Sequence, residues 1–224
     1  MNSIERMPTG IPGLDEMIEG GFPVPSLILV AGEAGSGKTT LCTQFLCQGS
    51  KLGEPGLCFL TFGGPTEWVL KFISTYDFVD RKYFYNNVSY VELEGPEQGG
   101  QAKDILESIL QDMDRLKPRR IVLENISLLE DVLREDYRHF LCKLFNQIKA
   151  RKIVALATSD AFSDEPYPVE LSHIADGIIL LQNAEVNSLR RRSIEVLKMC
   201  GTSHHLGKYA VDISAKGLTV YPGL

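Results

Sequence analysis

Ser26–Leu46, "SLILVAGEAGSGKTTLCTQFL", is the stretch on which the fold turns. Ser26–Ala31 is a continuous apolar run, the pattern of a strand covered on both faces. A glycine-rich turn follows, and "KTTLCTQFLCQGSKLG" then reads as a helix ending at Gly53. Between strand and helix, "GEAGSGKTT" (Gly32–Thr40) matches the spacing G-x-x-x-x-G-K-[ST] in the context that spacing requires.

Each residue type has a physical purpose. Gly32, Gly35 and Gly37 permit a backbone that turns successive N–H groups inward, with Glu33, Ala34 and Ser36 completing the loop and Thr40 closing it. Those N–H groups and the helix N-terminus attract phosphate oxygens. Lys38 adds a point charge, and the Thr39 hydroxyl suits a Mg²⁺ shell. The loop therefore predicts binding of ATP or ADP with Mg²⁺; no N-K-x-D-like guanine reader is present to suggest GTP. A second acidic element is "RIVLENIS" (Arg120–Ser127), a buried strand ending in a carboxylate. Asp is the residue expected at such a strand end; Glu124 stands there and is the second candidate metal residue.

Strand-like and helix-like patterns alternate through the rest of the chain. "GLCFLTF", "NVSYVEL", "RIVLEN", "KIVALATS" and "DGIILLQ" read as strands. "PTEWVLKFISTY", "QAKDILESILQDMDRL" and "REDYRHFLCKLFNQIKAR" read as helices, the last two with clear apolar stripes. After Gln182 the segments alternate in polarity and are separated by turn residues, as antiparallel edge strands are. The expected fold is one α/β domain over residues 1–224: a mostly parallel sheet between helical layers, with C-terminal antiparallel strands.

The net charge of −6 disfavours a broad electrostatic grip on nucleic acid. Five cysteines without a C-x-x-C pair, most in apolar runs, read as reduced thiols. "MNSIERMPTG" has no apolar core of signal-peptide length, and no apolar run reaches the ~20 residues of a membrane span. These features predict a cytoplasmic protein.

"TGIPGLDEMIEGGFPVPSLILVAGEAGSGKTTLCTQFL" and "LKMCGTSHHLGKYAVDISAKGLTVYP" (Leu197–Pro222) resemble the opening and closing stretches of KaiC-like and RadA-related ATPases. The resemblance runs from Thr9 to Pro222. It implies a RecA-like core, and assembly as rings, often hexamers, or filaments with ATP at the subunit interface. It also makes two departures conspicuous. The family's second core strand usually ends in a glutamate pair, one of which orients the attacking water; in "FLTFGGPTE" that pair aligns with Gly63 and Gly64. The family's K-x-R-G-T/S, whose Lys and Arg reach the neighbouring subunit's nucleotide, reads "KMCGTS" here: Lys198 is retained and Cys200 replaces the Arg.

A positioned acid/base contributes roughly 10²–10⁴ in rate and an arginine finger roughly 10³–10⁵, so the resemblance implies ATP binding with weak or absent hydrolysis. Such a protein would be a nucleotide-dependent regulator or scaffold working with copies of itself or a partner protein. One rival is a slow ATPase with a relocated carboxylate, Glu124 or Glu67 being the candidates. The other is a nucleic-acid-binding RadA paralog. Against it, the two loops that would bind DNA, "SLLEDVLRED" and "DAFSDEPYPVE", are acidic. The basic runs Arg115–Arg120 and Arg190–Arg192 read as solvated charge, the second within a hairpin turn. Ser159 and Asp160 end a strand where RecA-like proteins place a polar γ-phosphate sensor.

Overall fold

The computed structural model describes residues 4–61, 66–93, 102–161, 166–186 and 188–221. A short ribbon, β1 (Arg6–Met7) and β2 (Phe22–Pro23), brackets helix α1 (Leu14–Met17). Strand β3 (Ser26–Gly32) leads through the glycine-rich loop into α2 (Lys38–Lys51) and β4 (Gly56–Thr61). Helices α3 (Thr66–Ile73) and α4 (Arg81–Asn87) precede β5 (Val88–Leu93). Then come α5 (Ala102–Leu116), β6 (Arg120–Glu124), α6 (Leu128–Leu133), α7 (Tyr137–Ala150) and β7 (Val154–Asp160). Helix α8 (Val169–Ile174) leads to β8 (Gly177–Val186), β9 (Leu189–Met199), β10 (Lys208–Ser214) and β11 (Gly217–Tyr221).

Nine strands form one sheet in the order β11-β10-β9-β8-β3-β7-β6-β4-β5. The six from β8 to β5 are parallel, and β9, β10 and β11 add on antiparallel, as the change of pattern after Gln182 predicts. The predicted α/β architecture is therefore observed. The alternation of β3 divides the core. Ile28 and Val30 join Leu41 and Phe45 of α2 on one face; Leu27, Leu29 and Ala31 join α5 and α7 on the other. The predicted stripe Phe140, Leu141, Leu144, Phe145 and Ile148 of α7 is wholly buried, because that face lies on the sheet.

Two expectations are corrected. Arg190–Arg192 do not form a turn: β8 pairs with β9 out to Val186 opposite Leu189, so the three arginines lie within a strand. Arg120 is not solvated. It is fully buried at the start of β6, where its guanidinium lies 4.7 Å from the Phe45 ring centroid. It donates to Glu54 Oε2 (2.7 Å) and to the carbonyls of Pro8 and Phe45 (2.9 Å each). Gly49 of α2 makes room, since a Cβ there would overlap the arginine stem. This arginine thus ties the N-terminal segment, α2 and β6 together at the sheet end remote from the glycine loop.

Candidate functional site

The carboxyl ends of β3, β6 and β7 meet at one edge of the parallel sheet, where α/β folds place ligands. The glycine loop leaves β3 there. Gly32 has no room for a side chain: a Cβ would come 2.5 Å from the Leu181 carbonyl oxygen and 2.6 Å from Ser36 Oγ. Gly37, at φ 111°, stands before the first turn of α2, and among the described residues no side chain caps that helix. A helix of 14 residues thus presents unsatisfied N–H groups and the positive end of its dipole to the loop. Ser36 Oγ is buried without a partner among the described residues. An uncapped helix end, a glycine cradle and an orphaned hydroxyl together fit a bound phosphate chain.

The charged side chains converge on the same place. Lys38 Nζ donates to the carbonyls of Gly32 (2.6 Å) and Glu33 (3.1 Å) and lies 3.0 Å from Asp160 Oδ1. Asp160 is held in turn by Asn125 Nδ2 at 2.8 Å, and the Asn125 carbonyl oxygen of the side chain accepts from Ser127 Oγ at 2.6 Å. Thr39 Oγ1 donates to Glu124 Oε1, so the two candidate metal residues are hydrogen-bonded to each other. Burial pushes the Glu124 carboxyl above its ordinary range, and the Thr39 bond and the Lys38 charge only partly offset it. A divalent cation would relieve that burial penalty, so the donor set suits Mg²⁺.

The sequence pairs Ser159 with Asp160, and the structure separates them. Asp160 meets Lys38, while Ser159 is fully buried with a hydroxyl that has no partner among the described residues. Glu33, Ala34 and Gly35 are exposed, and Thr40 is buried with its hydroxyl 3.0 Å from that of Tyr76. Glu67 is exposed in the first turn of α3, where its charge favours the helix dipole. Lys198 Nζ donates to the carbonyls of Ala175 (2.6 Å) and Ser172 (3.2 Å) of its own chain. Cys200 is exposed just beyond β9. Gly63 and Gly64 lie outside the described residues.

Three contacts have no local sequence signal. Arg192 Nε donates to the Gly35 carbonyl at 3.3 Å, and Asn183 Nδ2 to that of Ala34 at 3.5 Å, so the β8–β9 hairpin reaches the glycine loop. Gln44 of α2 accepts from Leu218 N (2.6 Å) and donates to Leu218 O (3.1 Å), which clasps β11 to the helix. With β11 fixed, Ile213 of β10 stands over Gly37. The acidic residues expected on loops lie on short helices instead: Glu130 and Asp131 of α6 and Glu170 of α8 line one basin of about 450 Å³ beside Asp160.

A family model described as "ATPase: KaiC" matches residues 7–224. The chain belongs to the KaiC family of ATPases. It is 29% identical to the circadian clock protein KaiC3 of Synechocystis over 99% of its own length, and spans 46% of that protein. It thus covers about half the length of the clock proteins it matches. Against a UPF0273 protein of Pyrococcus horikoshii the identity is 28%, over 97% of this chain and 94% of the relative. The crystal structure of a KaiC-like protein from P. horikoshii superposes with a TM-score of 0.86 at 28% identity, covering 98% of this chain and all of that one. The RecA-superfamily phosphate-loop fold follows for this KaiC-family chain. Among the described residues, no helix is long and apolar enough to cross a membrane, and no cluster of three or more His, Cys, Asp or Glu is arranged to hold a metal ion by itself.

Proposed function

We propose that this KaiC-family chain binds Mg-ATP through Gly32–Thr40 and hydrolyses it slowly or not at all, acting as a nucleotide-dependent regulator or scaffold. The observation that carries the reading is the arrangement at the end of β9. Lys198 is spent on two carbonyls of its own chain, and an exposed thiol stands at Cys200 where the resemblance calls for a guanidinium. Neither is set to supply positive charge to a neighbour's nucleotide. Gly63 and Gly64, where the resemblance calls for carboxylates, point the same way.

Binding needs a different set of groups. Lys38 and the N–H groups at the start of α2 would hold the phosphates. Thr39 and Glu124 would hold Mg²⁺, which supplies charge neutralisation to the phosphate oxygens. Arg192 and Asn183 brace the loop from β8–β9. Glu124 is already engaged by Thr39, which favours a metal role over that of a water-orienting base. A homo-oligomer, whether a ring or a smaller assembly, is the partner state the family suggests, in the cytoplasm. The acidic basin of Glu130, Asp131 and Glu170 opposes a nucleic-acid role, because phosphates approaching it meet like charge.

The test is a Mg-ATP turnover assay beside a binding measurement. Binding that is lost in Lys38→Ala, with product formation near background, is expected. Turnover at the rate of an active family member, abolished by Lys38→Ala, would sink the regulator reading and favour a genuine ATPase.

A further inference from the structure

Helices α5 and α7 pack side by side on one face of the sheet, and a groove of about 240 Å³ opens between their N-terminal turns. Leu106 and Phe140 supply its apolar lining; Lys103, His139 and Lys143 line it too, with one acid, Asp136. Neither lysine is tied down. Lys103 meets Glu107 only at 3.6 Å, with both side chains more than half exposed, and such pairs contribute little. Lys143 has no ion pair among the described residues. The cations on α7 also stand at the unfavourable end of their helix. A helix N-terminus is the positive end of the dipole, so a solvated face puts acids there and bases at the far end. Helix α3 follows that rule, with Glu67 in its first turn and Lys71 in its last. Helix α7 opens instead on Arg138 and His139, with no acid in its first turn and, among the described residues, no side-chain cap. Among the described helices of eight residues or more, only α2 shares that lack of acid, and α2 faces the glycine loop.

We propose that this groove binds a small amphipathic monocarboxylate, its head on the ammonium groups of Lys103 and Lys143 and its apolar body on Leu106 and Phe140. The carboxylate turns an unfavourable placement of charge into a favourable one, through charge-assisted hydrogen bonds to which His139 can add an N–H. The aliphatic stems of the two lysines extend the apolar surface that receives the body. With two lysines and one aspartate on the lining, the groove carries a net charge of +1, which a single negative charge balances. The volume is under the ~300–1,000 Å³ of ordinary ligand pockets, so the occupant is smaller than a nucleotide. No residue of the glycine loop lines the groove, nor do Glu124 and Asp160, so the proposal does not depend on the nucleotide reading.

The probe is octanoate, titrated into the full chain and followed through the ring C–H signals of His139 by NMR. The chain has four histidines, and the signal that vanishes in His139→Gln identifies the right one. A saturable shift is expected, with a Kd on the order of a millimolar. Lys103→Glu combined with Lys143→Glu, both at exposed positions, is expected to weaken binding about tenfold or more. Lys117→Glu combined with Lys152→Glu makes the same change of net charge just beyond the far ends of α5 and α7, and is expected to leave binding unchanged. Octylammonium should not shift the His139 signal, and saturating Mg-ATP should not alter the octanoate titration. A shift that never saturates, or equal affinity in the Lys103 and Lys143 reversal, overturns the site. Binding of inorganic phosphate as tightly as octanoate overturns the apolar half of the proposal, and a response to octylammonium equal to that to octanoate overturns the charged half. Complete competition by Mg-ATP together with indifference to the lysine reversal places octanoate at the glycine loop and also overturns it.

Discussion

Gln44→Met tests whether the C-terminal hairpin is pinned to the nucleotide-binding helix. Gln44 is buried, and its side-chain amide closes a two-bond ring with the backbone of Leu218, at 2.6 and 3.1 Å. Gly217 packs against it so closely that a Cβ would come 2.6 Å from Gln44 Cδ, which leaves little space for water to substitute. Methionine keeps the volume and removes both bonds. One buried N–H and one buried carbonyl are then unsatisfied, each costing about 1–3 kcal/mol, while the variant no longer buries a polar amide. The net loss is about 2–4 kcal/mol. For a domain of this size that lowers Tm by roughly 5–15 °C. Urea unfolding measures the loss directly, and hydrogen exchange locates it. Protection should fall first at β10–β11, and, because Ile213 rests on Gly37, nucleotide affinity should fall with it. A loss below about 1 kcal/mol with unchanged exchange at Leu218 would refute the argument, since water would then be satisfying the strand.

Glu124→Gln probes the carboxylate beside Thr39. Its folded pKa is raised, so the folded state holds that proton more tightly than the unfolded state. The associated stability is present below the unfolded pKa and lost as pH rises through the folded value. The ligand-free variant should therefore melt above the wild type at neutral and alkaline pH, the gap closing on acidification; the Mg-dependent gain in Tm with ATP should shrink. A pH-independent gap would contradict this. Thiol accessibility offers a second check. Cys42 and Cys58 are pushed well up by burial and Cys47 to about 12, while Cys142 and Cys200 are exposed. A chromogenic aryl disulfide should thus modify two thiols in the folded chain, one in Cys200→Ser, and the rest only on unfolding. Rapid reaction of Cys42 would show that α2 opens locally.

The parallel strands were legible because burial on both faces writes itself as an unbroken apolar run, and the glycine loop because its geometry admits few residue types. Strand β3 and helix α2 match their predicted spans to within a residue or two. The ribbon β1–β2 and helices α4, α6 and α8 leave no sequence signal, since elements of two to seven residues carry too little periodicity. The misread arginines share one cause. Arg120 finds Phe45 75 positions away, and Arg192 finds Gly35 157 away. A basic run looks the same in sequence whether water or a distant carbonyl receives it. Asp160 was legible as a polar strand end, but its ion pair with Lys38 follows only from the β3–β7 register, which sets Gly32 opposite Asp160.

That register has a consequence for how nucleotide is held. Glu124 and Asp160 put two carboxylates next to the groups that would meet the phosphates, one on Thr39 and one on Lys38. A triphosphate arriving without a cation would meet both and would have to compete with Asp160 for the lysine. With Mg²⁺ on the Thr39–Glu124 side, that carboxylate becomes a ligand and the repulsion there becomes attraction. Asp160, fixed by Asn125, is left facing Lys38 and able to take back its ammonium when nucleotide departs. The remaining contacts come from the same chain, through Arg192, Asn183 and the hairpin carrying Ile213. On the proposed reading, the groups that would hold the phosphates and Mg²⁺ come from one subunit, while the groups that would hasten cleavage from next door are turned inward at Lys198 or replaced at Cys200.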